Sequence, residues 1–244
     1  MLEAESLTKR FKDVLAVDEV SFKISPGEVF GLLGANGAGK TTIIRMLSTV
    51  LSPTSGTAKV FGDDIKEKPA RVRAKIGILF GGDTGLYDRL TARENIKYFA
   101  MLHDMDEKSA DERIEQLVEE FNMGDFIDRR VSKLSRGMKQ RVAFSRSVVH
   151  NPQVMLFDEP TSGLDIGAAN DVHNFIKECR KQNKIVLFSS HFIPEVEKLC
   201  DCIGILVNGK LVEQGTIGEI CRRADVPTLE EAFMSLYKER SVLE

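Results

Sequence analysis

Three short runs stand out in the hydrophobic pattern: Val29-Phe30-Gly31-Leu32-Leu33, Val154-Met155-Leu156-Phe157 and Ile185-Val186-Leu187-Phe188. Each is apolar at consecutive rather than alternate positions, as in a strand buried on both faces of a parallel sheet. Ile76-Gly77-Ile78-Leu79-Phe80 has the same character. Elsewhere the period changes. Ile43, Ile44 and Leu47 give Lys40 to Ser48 one apolar helical face, and helical spacing recurs over Thr91 to Met101 and Ser109 to Phe121. Phe99, Leu102 and Phe121 are expected in the core, and Glu112, Glu115, Glu119 and Glu120 on a solvated face. Residues 1 to about 80 read as strand-rich, with turns at Ser25-Pro26-Gly27 and Ser52-Pro53-Thr54-Ser55-Gly56. After Pro152, strand-like and helix-like segments alternate to about residue 212, which predicts a parallel α/β arrangement. A short helix over Leu229 to Tyr237 ends the pattern. The expected organisation is one domain over residues 1–244, with a helical subdomain at about 88–150.

Composition narrows the class. A chain of 244 residues can bury roughly 70–75% of its unfolded surface. Its net charge of −3 is spread over 29% charged residues, with no basic stripe suited to nucleic acid. No apolar run reaches the length of a membrane span, and Met1-Leu2-Glu3-Ala4-Glu5 lacks a signal-peptide pattern. A cytosolic protein that serves a membrane only through a partner is expected. Cys179, Cys200, Cys202 and Cys221 show no zinc spacing and are expected to be reduced thiols.

The candidate chemistry sits where the strand-like runs end. Gly34-Ala35-Asn36-Gly37-Ala38-Gly39-Lys40-Thr41-Thr42 fits the phosphate-binding pattern G-x-x-x-x-G-K-[ST], with a strand before it and a helix after it. Glycines allow the backbone N–H groups to ring a phosphate, the helix adds its positive N-terminal end, and Lys40 can reach the β- and γ-phosphates of ATP. The Thr41 hydroxyl is a candidate Mg²⁺ ligand, with Asp158 as its partner through water. Glu159, next in the chain, is the candidate for polarising the attacking water. His191, after the strand at 185–188, is a candidate γ-phosphate contact; a lone histidine at a strand end is otherwise structural.

Leu134-Ser135-Arg136-Gly137-Met138-Lys139-Gln140-Arg141 resembles the signature motif of ATP-binding cassette (ABC) proteins, usually written LSGGQ and followed by QQR. Ser135 is a good N-cap and Gly137 permits close backbone approach, so the helix over 138–148 would present an anion site. Two positions depart from the family: Arg136 replaces the first signature Gly, adding a positive charge, and Met138 replaces the Gln. Ser162-Gly163-Leu164-Asp165 resembles the family's D-loop, and Phe11 falls where these proteins place an adenine-stacking ring, a plain core Phe being the alternative. The Gln usual after the strand at 76–80 is missing from Phe80-Gly81-Gly82-Asp83-Thr84-Gly85-Leu86-Tyr87, where Asp83 is a candidate substitute.

The resemblance implies an α/β P-loop NTPase fold with a mainly parallel core sheet, an antiparallel β lobe and a helical subdomain. It implies ATP and Mg²⁺ as cofactors, bound through Phe11, Gly34, Asn36, Gly37, Ala38, Gly39, Lys40, Thr41 and Thr42, with Ser135, Gly137 and Asp165 presented to a second copy in a head-to-tail dimer. It also implies an integral membrane permease as partner, a location on the inner face of the cell membrane, and no nucleic acid. Within the family the chain is most similar to ATP-binding subunits of ABC-2-type exporters, and residues 76–90 and 189–203 resemble in particular one that extrudes sodium. ATP-driven Na⁺ efflux is therefore the expected function, with drug, lipid or polysaccharide export as alternatives. A soluble ABC protein acting on ribosomes or DNA is disfavoured by the single cassette and the lack of a long coiled coil. A guanine-nucleotide protein is disfavoured by Asn183-Lys184-Ile185-Val186, which lacks the Asp of Asn-Lys-x-Asp.

Overall fold

The computed structural model describes residues 1–81 and 85–241. Two sheets organise it. The larger contains β3 (Val29–Gly34), β6 (Ile76–Leu79), β7 (Val154–Asp158), β8 (Ile185–Ser190), β9 (Cys202–Val207) and β10 (Lys210–Gly215), in the order β10-β9-β3-β8-β7-β6. All its pairings are parallel except β10 on β9. The smaller is antiparallel, ordered β2-β1-β4-β5, from β1 (Leu2–Phe11), β2 (Val14–Ile24), β4 (Ser55–Val60) and β5 (Asp63–Asp64). This is the fold class that the family resemblance implied, a mainly parallel core sheet beside an antiparallel β lobe.

The consecutive apolar runs have a simple reason. Successive side chains of a strand point to opposite faces, and both faces of the large sheet are covered. Val29, Leu33, Met155, Phe157, Val186 and Phe188 enter one core. Phe30, Leu32, Val154, Leu156, Ile185 and Leu187 enter the other. The first core lies towards α3 (Ala92–Leu102), α4 (Glu107–Glu120), α5 (Arg136–Val148) and α6 (Ile166–Lys181). The second is shared with the antiparallel sheet and α1 (Lys40–Leu47). Phe144 packs against Phe121, Phe157 and Phe175 at centroid distances of 5.1, 4.7 and 5.1 Å, tying α5 to β7 and α6.

Local signals start the helices. Thr91 and Glu94 form a capping box on α3, Asp106 caps α4, and Thr216 with Glu219 caps α8 (Ile217–Ala224). Three expectations need correction. Leu102 is 59% exposed rather than in the core: it is the last residue of α3 and lines a cavity with Ala70, Ala74 and Met105. Glu120 is not on a solvated face: it is half-buried near Arg113, and burial pushes its carboxyl above the ordinary range, with Arg113 opposing. The C-terminal helix α9 runs over Leu229–Ser241, longer than expected, and the sequence pattern missed α8. Among the described residues, no helix is long and apolar enough to cross a membrane.

Candidate functional site

The register of the large sheet collects the candidate residues. β8 lies between β3 and β7, with Leu33 opposite Ser190 and Asp158 opposite Ser189. The loops after β3, β7 and β8 therefore leave one edge of the sheet, the carboxyl edge where α/β folds bind ligands. Over the first loop lies a cavity of about 150 Å³, lined by Ala16, Asn36, Gly37, Gly39, Lys40, Thr41, Thr42 and Glu159. Gly34 and Ala38 do not line it, and Ala38 lies within the second core.

The loop needs its glycines for identifiable reasons. Gly39 has φ +104, and a Cβ there would come within 2.6 Å of the Ala16 carbonyl oxygen. Ala16 thus packs directly against the phosphate loop, a contact the sequence did not reveal, since nothing distinguishes this alanine in β2. Lys40 is 5% exposed and donates to the carbonyls of Gly34 and Ala35 at 2.6 and 3.0 Å. Burial lowers its pKa, while Glu159 and Asp158 act in the opposite direction.

Asp158 ends β7 with both oxygens held by hydroxyls. Thr41 Oγ1 donates to Oδ2 at 2.7 Å and Ser189 Oγ donates to Oδ1 at 2.6 Å. Hydroxyl and carboxylate oxygens are hard donors of the kind Mg²⁺ takes, and Mg²⁺ completes its shell with water and substrate phosphate. The pair Thr41 and Asp158 fits that requirement. Water and substrate phosphate oxygens would supply the other positions of the shell, as is usual for Mg²⁺.

Glu159 sits at φ +48, a left-handed conformation uncommon for a residue with a side chain. Its amide donates to Ser189 Oγ at 3.0 Å and to the Ser189 carbonyl at 3.2 Å. This turn swings the Glu159 side chain to the phosphate cavity, where Oε1 accepts from His191 Nδ1 at 2.9 Å. The two candidate catalytic groups, 32 residues apart in sequence, are hydrogen-bonded. Ser189 holds both acids, a role that its place in Ser189-Ser190-His191 did not betray.

The remaining candidates lie elsewhere. Ser135 caps α5, its Oγ accepting from the Met138 amide at 3.3 Å. Asp165 caps α6, with Oδ1 accepting from the Ala168 amide at 2.8 Å, and its Oδ2 lies 3.7 Å from the place a Cβ would take on Gly137. None of the three lines the cavity over the phosphate loop. The Arg136 guanidinium is turned to Gly163 of its own chain, where a Cβ would meet Nη2 at 2.7 Å. Phe11 ends β1 at 45% exposure, so it is not a core residue, and Lys9 Nζ stands 5.2 Å from the centre of its ring. Stacking of a base on an aromatic ring contributes about 1–3 kcal/mol. Phe11→Ala is therefore expected to weaken ATP binding by roughly tenfold or more, and Phe11→Tyr to leave it nearly unchanged, as measured with labelled nucleotide. The loop that lacks the usual Gln includes Gly81, where a Cβ would lie 3.0 Å from the Asp158 carbonyl oxygen. Asp83, the candidate replacement for the missing Gln, lies outside the described residues. Burial pushes the thiols up, to about 12 at Cys179 and about 11 at Cys202.

The fold and the phosphate loop define a P-loop ATPase. Comparison with known proteins then specifies the kind. Residues 17–162 match the family model described as "ABC transporter". The chain is 43% identical over 239 residues to the ABC transporter ATP-binding protein NatA of Bacillus subtilis, covering 96% of this chain and 97% of that protein. It is 35% identical over 241 residues to the probable multidrug ABC transporter ATP-binding protein YbhF of Escherichia coli, covering 97% of this chain but 41% of that protein. A solved structure of an ATP-binding subunit of an ABC transporter superposes with a TM-score of 0.90 at 27% identity, covering 97% of this chain and 99% of that one. The chain belongs to the ABC transporter family. It is an ATP-binding subunit of such a transporter, and it hydrolyses ATP.

Proposed function

We propose that this subunit powers Na⁺ export through a separate membrane permease, as one half of a dimer that closes on two MgATP. The observation that carries the hydrolytic part is the meeting of Lys40, Thr41 and Glu159 around one cavity, with Asp158 bonded to Thr41 and His191 bonded to Glu159. In this reading the loop of residues 34–39 and Lys40 bind the β- and γ-phosphates, and Phe11 stacks on adenine. Thr41 and Asp158 would hold Mg²⁺, which neutralises charge on the phosphates. Glu159 takes the proton of the attacking water, and His191 orients Glu159 and the γ-phosphate. Ser135, Gly137 and Asp165 form a separate surface suited to the nucleotide of the second copy, because the N-terminus of the 13-residue helix α5 attracts anions.

The transported ion and the peripheral location on the cytoplasmic face are supported by the near full-length likeness to NatA and by the lack of a membrane-spanning helix among the described residues. The likeness to a probable multidrug transporter protein favours drug export as the second reading. The test is to extract membranes gently from cells carrying the tagged chain, identify what co-purifies, and reconstitute the pair in vesicles. A stoichiometric multi-spanning partner and ATP-dependent ²²Na⁺ movement are expected. A membrane partner with drug movement and no ²²Na⁺ movement would select the second reading, and ribosomal or DNA-bound partners alone would overturn both.

A further inference from the structure

Glu195 lies on α7 (Ile193–Leu199) and is only 4% exposed. A buried carboxylate is costly unless its oxygens are satisfied, and here three donors from three parts of the chain converge on it. Oε1 accepts from Thr161 Oγ1 at 2.7 Å and from His173 Nε2 at 3.1 Å. Oε2 accepts from Ser190 Oγ at 2.9 Å. The sequence singled out none of these contacts, and the hydrolytic scheme above does not use them.

The placement of the donors gives the contacts meaning. Thr161 follows Glu159 by two residues in the loop after β7. Ser190 immediately precedes His191 at the end of β8, and its Oγ also accepts from the Phe192 amide at 3.0 Å, which bends the chain around His191. The third donor comes from α6. His173 Nδ1 lies 3.3 Å from Lys198 Nζ. An ammonium only donates, so Nδ1 accepts and Nε2 must carry the proton given to Glu195. His173 is thus held in one tautomer, and its pairing keeps Glu195 in register with α6. Burial pushes the Glu195 carboxyl up, but bonds from His173, Thr161 and Ser190 more than offset this and leave it below the ordinary range. An apolar side chain of similar size would fill the same space with no need for matched donors, so packing alone does not account for a carboxylate here.

We propose that Glu195 is a positioning residue for ATP hydrolysis: it clamps the loop after β7 to the loop after β8, and so holds Glu159 and His191 at their 2.9 Å separation. The contact is distinct from the phosphate cavity, which Glu195 does not line, so the clamp acts on turnover rather than on ATP capture. This inference rests on the assignment of Glu159 and His191 to hydrolysis.

The test compares steady-state ATP turnover of the full chain with Glu195→Ala, Glu195→Gln, His191→Ala, Glu159→Gln and the double variant Glu195→Ala/His191→Ala. Misplacing a catalytic group by about 1 Å costs about 100-fold, so Glu195→Ala is expected to lower kcat by about 10- to 100-fold. KM for ATP should change by less than about twofold, since the phosphate loop is untouched. Glu195→Gln should recover most of the rate, because its oxygen can accept from Thr161 and His173 while its amide donates to the Ser190 hydroxyl. The double variant should be little slower than the worse single variant, as for residues that act as a unit. Unchanged kcat in Glu195→Ala, or losses that multiply fully in the double variant, would overturn the clamp. If Glu159→Gln and His191→Ala also turned over normally, the site assignment itself would fail. Loss in those two with none in Glu195→Ala sinks only the clamp. Should Glu195→Ala not fold, Thr161→Val and Ser190→Ala each remove one arm and should each lower kcat several-fold at constant KM; normal kcat in both would refute the proposal.

Discussion

Glu159→Gln is expected to bind ATP with near-normal affinity yet to hydrolyse it at least about 100-fold more slowly, the range for loss of a general base being about 10²–10⁴. The amide keeps the shape of the carboxylate and can still accept from His191 Nδ1, which now lies 2.9 Å from Oε1, so the loop geometry should survive. It cannot take a proton from water. The rest of the phosphate site is untouched, because Lys40, Thr41 and Asp158 keep their partners. A nucleotide that binds but is not cleaved should also hold the closed dimer together. Size-exclusion chromatography of Glu159→Gln with ATP is therefore expected to show a dimer that the wild type forms only transiently. Turnover within a few-fold of wild type would remove Glu159 from the role of base.

Lys40→Ala should abolish productive nucleotide binding. Lys40 is the cation buried in the loop, and its ammonium is held by the carbonyls of Gly34 and Ala35. Those carbonyls hold it ready for the phosphates, while Asp158 and Glu159 favour its charged form. Without Lys40 the triphosphate would meet those two acids with little local compensation. Hydrogen bonds to charged groups contribute about 1.5–3 kcal/mol each, so the loss of two should weaken ATP binding by more than about 100-fold. The chain has no Trp, so the measurement calls for labelled nucleotide, or for the thermal shift that a ligand bound only to the folded state produces. An ATP-induced shift equal to that of wild type would show that Lys40 does not hold the phosphates.

Much of the architecture was legible because its determinants are local. Consecutive apolar residues at 154–157 and 185–188 can be accommodated only where both faces of a strand are covered, and the two cores provide that. Ser135 announced a helix start through a short side chain that reaches an amide three residues on, whereas the same capping role of Asp165 appeared only in the structure. The phosphate loop was equally plain, since its glycines, lysine and hydroxyl are contiguous. Burial of particular polar groups was not legible in the same way. Glu120 shares a helix with Glu112 and Glu119 and has the same apparent pattern, yet it is the one near Arg113 in a cavity. Leu102 continues the apolar spacing of α3 but ends on the surface, 59% exposed, at the wall of a cavity shared with Ala70, Ala74 and Met105.

The sequence by itself determined most element types and the P-loop, because periodicity, capping and a contiguous motif act over a few residues, and it pointed to the family through the likeness of its signature motif. Only the tertiary structure decided which residues meet. Thr41 reaches Asp158 across 117 positions, Ser189 reaches Asp158 across 31, and Thr161 reaches Glu195 across 34. These contacts follow from strand order, with β8 inserted between β3 and β7, and strand order is set by the collective burial of both cores rather than by any local pattern. The sequence carries Glu195 as one acid among 37 Asp and Glu. Folding brings three donors to it and makes it distinct.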